Sequence, residues 1–226
     1  MTLETSKNLG GIGAILMFLG IIIGFVPFVS MVSSIIELIG LILVLVGLHG
    51  LGSYYKDSGI FNNALYGVIV AIIGAVVVAV IAFAIILTTI SPLLYQIYPG
   101  WDGNWASLAG LTPDTSAITA GSFDLSTLLP ALFGAIAIII IVWIVTIVAT
   151  FLIRRSLKSA SAKSNVGLFG TAGLIMLIGA FLAIIFIGFI LIWISALLLA
   201  VAFFQVKQSE STTSTNVPYP PPPTSA

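Results

Sequence analysis

A chain of 226 residues that is 60% hydrophobic and only 6% charged lies outside the soluble class, in which roughly 25% of residues are charged. Its seven basic and seven acidic residues cancel, so no net charge points to nucleic acid as a partner. The absence of cysteine excludes disulfides, thiolate metal sites and cysteine nucleophiles, and the single His49 cannot supply a histidine metal cluster.

What remains is a polytopic membrane protein. Apolar runs of about 18 residues or more recur along the chain, each enough to cross a hydrocarbon core about 30 Å thick as a helix. They are continuous runs of Ile, Leu, Val, Ala and Gly, unlike the short alternating segments of a membrane β-barrel. The expected fold is an all-α membrane bundle of about six transmembrane helices, with the lipid bilayer as its first partner.

The first expected span covers 9–28, after a polar segment that carries Lys7. It lacks a small-x-small cleavage site and a second span follows at once, so it reads as a retained helix rather than a signal peptide. Pro27, with Ser30, Ser33 and Ser34 behind it, marks a short external turn, and the second span covers 31–51. The polar connection through Lys56, Asp57, Asn62 and Asn63 gathers Tyr54, Tyr55, Phe61 and Tyr66, as an aromatic belt does at a membrane surface. The third span, 64–90, is longer than a perpendicular crossing needs, so it tilts or projects.

An external loop is expected over 91–125, with Asp102, Asp114 and Asp124 and no Lys or Arg. Tyr95, Tyr98, Trp101 and Trp105 read as its aromatic belt. Thr112-Pro113-Asp114 suits the start of a short surface helix with Thr112 as N-cap. Ser126 can cap the fourth span, 127–153, where Pro130 falls in the first turn. A basic cytoplasmic loop over 154–165 follows, with Arg154, Arg155, Lys158 and Lys163. The last apolar block would be ~60 Å long as one helix, twice the hydrocarbon thickness. It is therefore expected as a hairpin of two spans, 166–184 and 188–206. The Ser/Thr-rich tail, 208–226, ends in a run from Pro220 to Pro223 and is expected to be disordered with polyproline II character.

Six spans place both termini inside, and Lys7, Lys56, Arg154, Arg155, Lys158, Lys163 and Lys207 then all fall on the cytoplasmic side. The basic loop determines that topology, and the expected location is the plasma membrane. The two end hairpins also echo one another. Asn8-Leu9-Gly10-Gly11-Ile12-Gly13 matches Asn165-Val166-Gly167-Leu168-Phe169-Gly170, and Ile15 to Gly20 matches Leu174 to Gly179 after a two-residue shift. This suits a weak parallel repeat as well as chance similarity between apolar segments.

Three stretches carry a resemblance to a known family: Lys7 to Gly13, the run from Tyr54 to Leu65 around Asp57, Phe61, Asn62 and Asn63, and the terminal hairpin with Thr171-Ala172-Gly173 and Leu199 to Phe204. Together they resemble the uncharacterised archaeal and bacterial membrane family called domain of unknown function 996. The resemblance covers nearly all of residues 1–206. It implies a multispan membrane protein of archaeal origin and brings no activity, cofactor or catalytic residue with it.

Glu37 is the single carboxylate within an expected span, and ionisable groups at that depth often mark ion or proton pathways. Ser33 lies four residues earlier on the same helix face, so the pair is the candidate ion or proton site. The competing reading places Glu37 ~10 Å from the outer end of its helix, within reach of interfacial water and the helix N-terminus. His49 lies about 18 Å further along the same helix, too far for direct contact. Small residues at Gly20 and Gly24, at Gly167, Gly170 and Gly173, and at Ala71, Ala75 and Ala79 are expected to let helices pack closely within one subunit, with homo-oligomerisation the alternative. Trp143 and Trp193 fall mid-span, where their N–H groups need carbonyl partners. No enzyme motif is present. The expected function is a structural or interaction protein of the membrane, and the alternative is a small transporter or channel built on Glu37.

Overall fold

The computed structural model describes residues 2–24, 30–114, 116, 126 and 129–207. Its long helices are α1 (Leu3–Gly24), α2 (Ser30–Tyr54), α3 (Ser58–Ile97), α4 (Leu129–Ser164), α5 (Gly167–Leu182) and α6 (Ile187–Gln205). All six are long and apolar enough to cross a bilayer, and no strand occurs among the described residues. The chain is an all-α, multi-pass membrane protein.

The helices form a closed ring of neighbours. α1 packs on α2 and α6, α3 packs on α2 and α4, and α5 packs on α4 and α6. Successive helices run up and down, so the starts of α1, α3 and α5 and the ends of α2, α4 and α6 share one end of the bundle. All seven Lys and Arg residues belong to that basic end. The tightest packing is there too, with Leu48, Leu51, Ile60, Leu157, Phe169 and Phe203 fully buried. Lipid tails are as apolar as these side chains, so inside the bilayer close packing rather than escape from water holds the helices together. Where the helices emerge into water, burial of the same groups adds the ordinary hydrophobic term.

The connections at the basic end are short because single residues turn the chain. Lys56 adopts a left-handed conformation with φ 51°, and Asp57 then caps α3 by accepting from the Gly59 N–H at 2.9 Å. Asn63 donates back to the Gly59 carbonyl at 2.8 Å. Asn165 turns α4 into α5 with φ 56°, a conformation that asparagine tolerates better than most residues. The break in the last apolar block has no polar residue to announce it. It consists of a 3-10 turn, Ala183–Ile185, followed by Phe186 at φ 64°. Gly179 and Gly188 stand backbone to backbone beside it, so close that no β-carbon would fit at Gly188.

Several boundaries differ from those expected. The basic segment, 154–165, is not a loop: α4 continues through it to Ser164. Arg, Lys, Leu and Ala are good helix formers, and the segment has a core face, with Ser156, Leu157 and Ala160 buried and the Ser156 hydroxyl donating to the Ile60 carbonyl. α3 likewise continues past Ile90 through Pro92 to Ile97, so the opposite connection begins later than residue 91. At 40 residues α3 is about 60 Å long, twice the hydrocarbon thickness. α1 starts at Leu3 rather than residue 9, because the Thr2 hydroxyl accepts from the Thr5 N–H at 3.2 Å and supplies an N-cap. Thr112, Pro113 and Asp114 are not helical and Ser116 is, and the rest of the short helix expected there lies outside the described residues. The expected turn at Pro27 and the tail, 208–226, lie outside the described residues.

Candidate functional site

Glu37 lies where a seam of glycines between α1 and α2 gives way to side chains. Nearer the basic end the two backbones touch. A β-carbon at Gly13 would fall 2.6 Å from the Gly40 carbonyl oxygen, and one at Gly47 would fall 2.6 Å from the Gly10 Cα. Further along, α2 presents Glu37 and Ser33, and α1 meets them with bare backbone. A β-carbon at Gly20 would sit 2.6 Å from Glu37 Cγ, and one at Gly24 would sit 3.0 Å from Ser33 Oγ. The structure thus brings together Glu37 and Ser33 with the Gly20 and Gly24 pair, read separately in the sequence. Ser33 is buried and Glu37 half-buried. Among the described residues the Glu37 carboxylate has neither an ion-pair nor a hydrogen-bond partner.

His49 is not brought to Glu37. It is exposed at the basic end, its ring edge-on to Phe61 with centroids 4.8 Å apart. The mid-span tryptophans are partnered across helices. Trp143 Nε1 on α4 donates to the Ala180 and Phe181 carbonyls of α5 at 3.1 and 3.2 Å, next to the helix end where carbonyls lack intrahelical donors. Trp193 on α6 stacks on Phe18 of α1 at 4.7 Å and donates to the Phe18 carbonyl at 3.1 Å.

The other small-residue stripes divide. Gly173 packs on Leu157 and the Arg154 backbone, and Gly170 faces Ser161, but Gly167 faces open space. Ala71, Ala75 and Ala79 are exposed, which corrects the expectation that they pack within the subunit. Gly67 and Gly74 occupy the face of α3 turned to α4, against Ala149 and Ile153 and against Val145. The repeat-related glycines also make unlike contacts, since Gly10 lies under Phe203 while Gly167 is open.

At the end opposite the basic one, the aromatic belt is folded. Trp101 is buried, lies between Tyr95 at 5.0 Å and Trp105 at 5.4 Å, and donates from Nε1 to the Asn104 carbonyl at 2.7 Å. Asp102 accepts from Ser107 Oγ at 2.6 Å and from the Asn104 N–H at 2.9 Å. The Ser107 hydroxyl, then the Asn104 N–H, hold its carboxyl below the usual range. Asp114 accepts from the Ser116 N–H at 2.9 Å and is shifted the same way by Ser116. Asp102 and Asp114 each bind local donors, while Asp124 lies outside the described residues.

Three clefts open at the basic end, and each of the seven Lys and Arg residues lines one of them. The largest, about 1290 Å³, lies between the start of α1, the α4–α5 turn and the end of α6, and carries Lys7, Lys163 and Lys207. A second, about 310 Å³, holds His49, Lys56 and Phe61. The third, about 200 Å³, holds Arg154, Arg155, Lys158 and Phe151. Sequence reasoning read these cations for topology alone. No linear pattern joins Lys7 to Lys207, so the clefts carry no sequence signal.

Comparison with known proteins places the chain in a family but brings no chemistry. Residues 36–197 match the profile of a family described as protein of unknown function, DUF996. The chain is 27% identical over 208 residues to the uncharacterized protein MJ1644 of Methanocaldococcus jannaschii, covering 91% of this chain and 94% of that protein. No solved structure matches it.

Proposed function

The chain belongs to the DUF996 family, and from that premise we propose that it is a structural or interaction protein of the cell membrane, without catalytic activity and with both termini in the cytoplasm. The observation that carries this reading is the α1–α2 seam: Glu37, a carboxylate well inside its span, has its Cγ against the bare backbone of Gly20. A small-residue groove filled by a side chain is a packing device. The mid-span tryptophan N–H groups serve packing in the same way, each bound to a carbonyl of a neighbouring helix. The orientation rests on the collection of all Lys and Arg at one end.

A second reading has a specific observation in its favour. The Glu37 carboxylate has no partner among the described residues, and such groups at membrane depth often line ion paths. Labelling separates the two. Because the chain has no cysteine, single cysteines at Ser33, Glu37 and Leu41 report water directly to a membrane-impermeant thiol reagent. The packing reading expects no reaction at any of the three. Labelling at all three would mean a water-lined face and would replace it with a transporter or channel. In intact cells Ala106→Cys should react while Ala162→Cys reacts only after permeabilisation, and the reverse pattern would overturn the orientation.

A further inference from the structure

We propose that the largest cleft at the basic end binds a phosphate-bearing anion, the headgroup of an anionic phospholipid from the adjoining leaflet. Three segments distant in sequence build it, and each brings a cation: Lys7 on α1, Lys163 at the end of α4 and Lys207 beyond α6. The one acidic residue lining it is Glu4, which pairs with Lys7 at 2.9 Å. Three positive charges and one negative leave two in excess, and among the described residues neither Lys163 nor Lys207 has an ion-pair partner.

Between those lysines α5 begins without a side-chain cap. The Phe169 N–H is bonded to the Val166 carbonyl, which leaves the N–H groups of Gly167 and Leu168 without intrahelical acceptors, and Gly167, at the first position, faces open space. Uncapped helix N-termini favour anions through oriented N–H groups and the helix dipole. Tyr55 adds a hydroxyl to the lining; burial and then its neighbour Tyr54 push its phenol up, so it stays a donor.

The walls favour a lipid over a free anion. Leu168 and Phe204 line the same cleft, so an apolar surface continues from the cationic rim toward the helices that cross the membrane. A ligand with a phosphate head and an acyl stem matches both parts. Basic pockets between helices at a membrane face are the usual setting for such recognition. The third cleft has three cations but, at about 200 Å³ along one helix, lacks the enclosing segments.

The test uses the full-length protein in a neutral detergent, titrated with dioctanoyl phosphatidylglycerol, with dioctanoyl phosphatidylcholine and with inorganic phosphate. The proposal expects saturable binding of phosphatidylglycerol alone. It expects K163Q/K207Q to weaken that binding about tenfold or more, as removal of two cations from a headgroup site should. K163R/K207R should retain it. R154Q/R155Q/K158Q, which removes more charge from the neighbouring cleft, should leave it within about threefold. Equal binding of phosphatidylcholine would overturn the proposal, as would equal loss in the two glutamine variants, because affinity would then follow the acyl chains or the overall charge. Binding of inorganic phosphate that competes fully with phosphatidylglycerol, and is lost in K163Q/K207Q, would keep the phosphate site and overturn its assignment to a lipid.

Discussion

At the scale of single residues, the glycines of this chain are not equivalent, and the difference is testable. Gly13 faces the Gly40 backbone, which cannot move aside without separating α1 from α2, whereas nothing lies within 4 Å of a β-carbon at Gly167. Gly13→Ala should therefore destabilise the protein by roughly 1–3 kcal/mol through overpacking. Gly167→Ala should lie within about 0.5 kcal/mol of the parent. Thermal unfolding in detergent measures both, and equal midpoints for the two variants would contradict the seam. Asp102 makes a second prediction. Its carboxyl is depressed below the ordinary 3.8 by the Ser107 hydroxyl first and the Asn104 N–H second. The ionised form is the one favoured by the folded turn. The contribution is thus present above the ordinary value and lost as pH falls through the depressed one. Ser107→Ala should move the Asp102 titration back up, as followed by carboxyl carbon NMR, while Asp114 stays where it is.

At the scale of elements, α4 is two structures in one helix. Its first part is apolar and largely exposed, as suits lipid contact. Its last part carries Arg154, Arg155 and Lys158 around a core face of Ser156, Leu157 and Ala160. Leu157→Ala should cost about 2–4 kcal/mol, as for a buried leucine in a well-packed core. Arg155→Gln, at an exposed position, should cost less than about 0.5 kcal/mol. Chemical or thermal unfolding that ranked them the other way would mean the segment is the loop its charge first suggested. The signal for the helix was present in the sequence: Ile153, Leu157 and Ala160 recur at helical spacing. Charge density concealed it, because basic residues mark the side of a membrane without saying whether the backbone there is coiled or helical.

At the scale of the whole molecule, six helices close into a ring whose best-packed part and all of whose cations share one end. That each of those cations lines a cleft gives the charge asymmetry a second meaning beside orientation. It is where the lipid titration and the labelling experiment converge. Composition and run length alone determined that the chain is helical and crosses the membrane repeatedly, because a bilayer admits few backbone solutions and demands continuous apolar runs of known length. The same reasoning located Glu37 and the mid-span tryptophans, since polar groups at that depth are conspicuous. Tertiary structure alone decided which small residues pack and which face outward: Gly74 and Ala75 are neighbours in sequence, yet one is buried and the other exposed. It alone placed Gly20 beneath Glu37 and drew Lys7, Lys163 and Lys207 around one cleft. The physical reason is that every face of a lipid-immersed helix is apolar. Hydropathy therefore carries no record of which face meets protein, and only the fit of one backbone against another selects it.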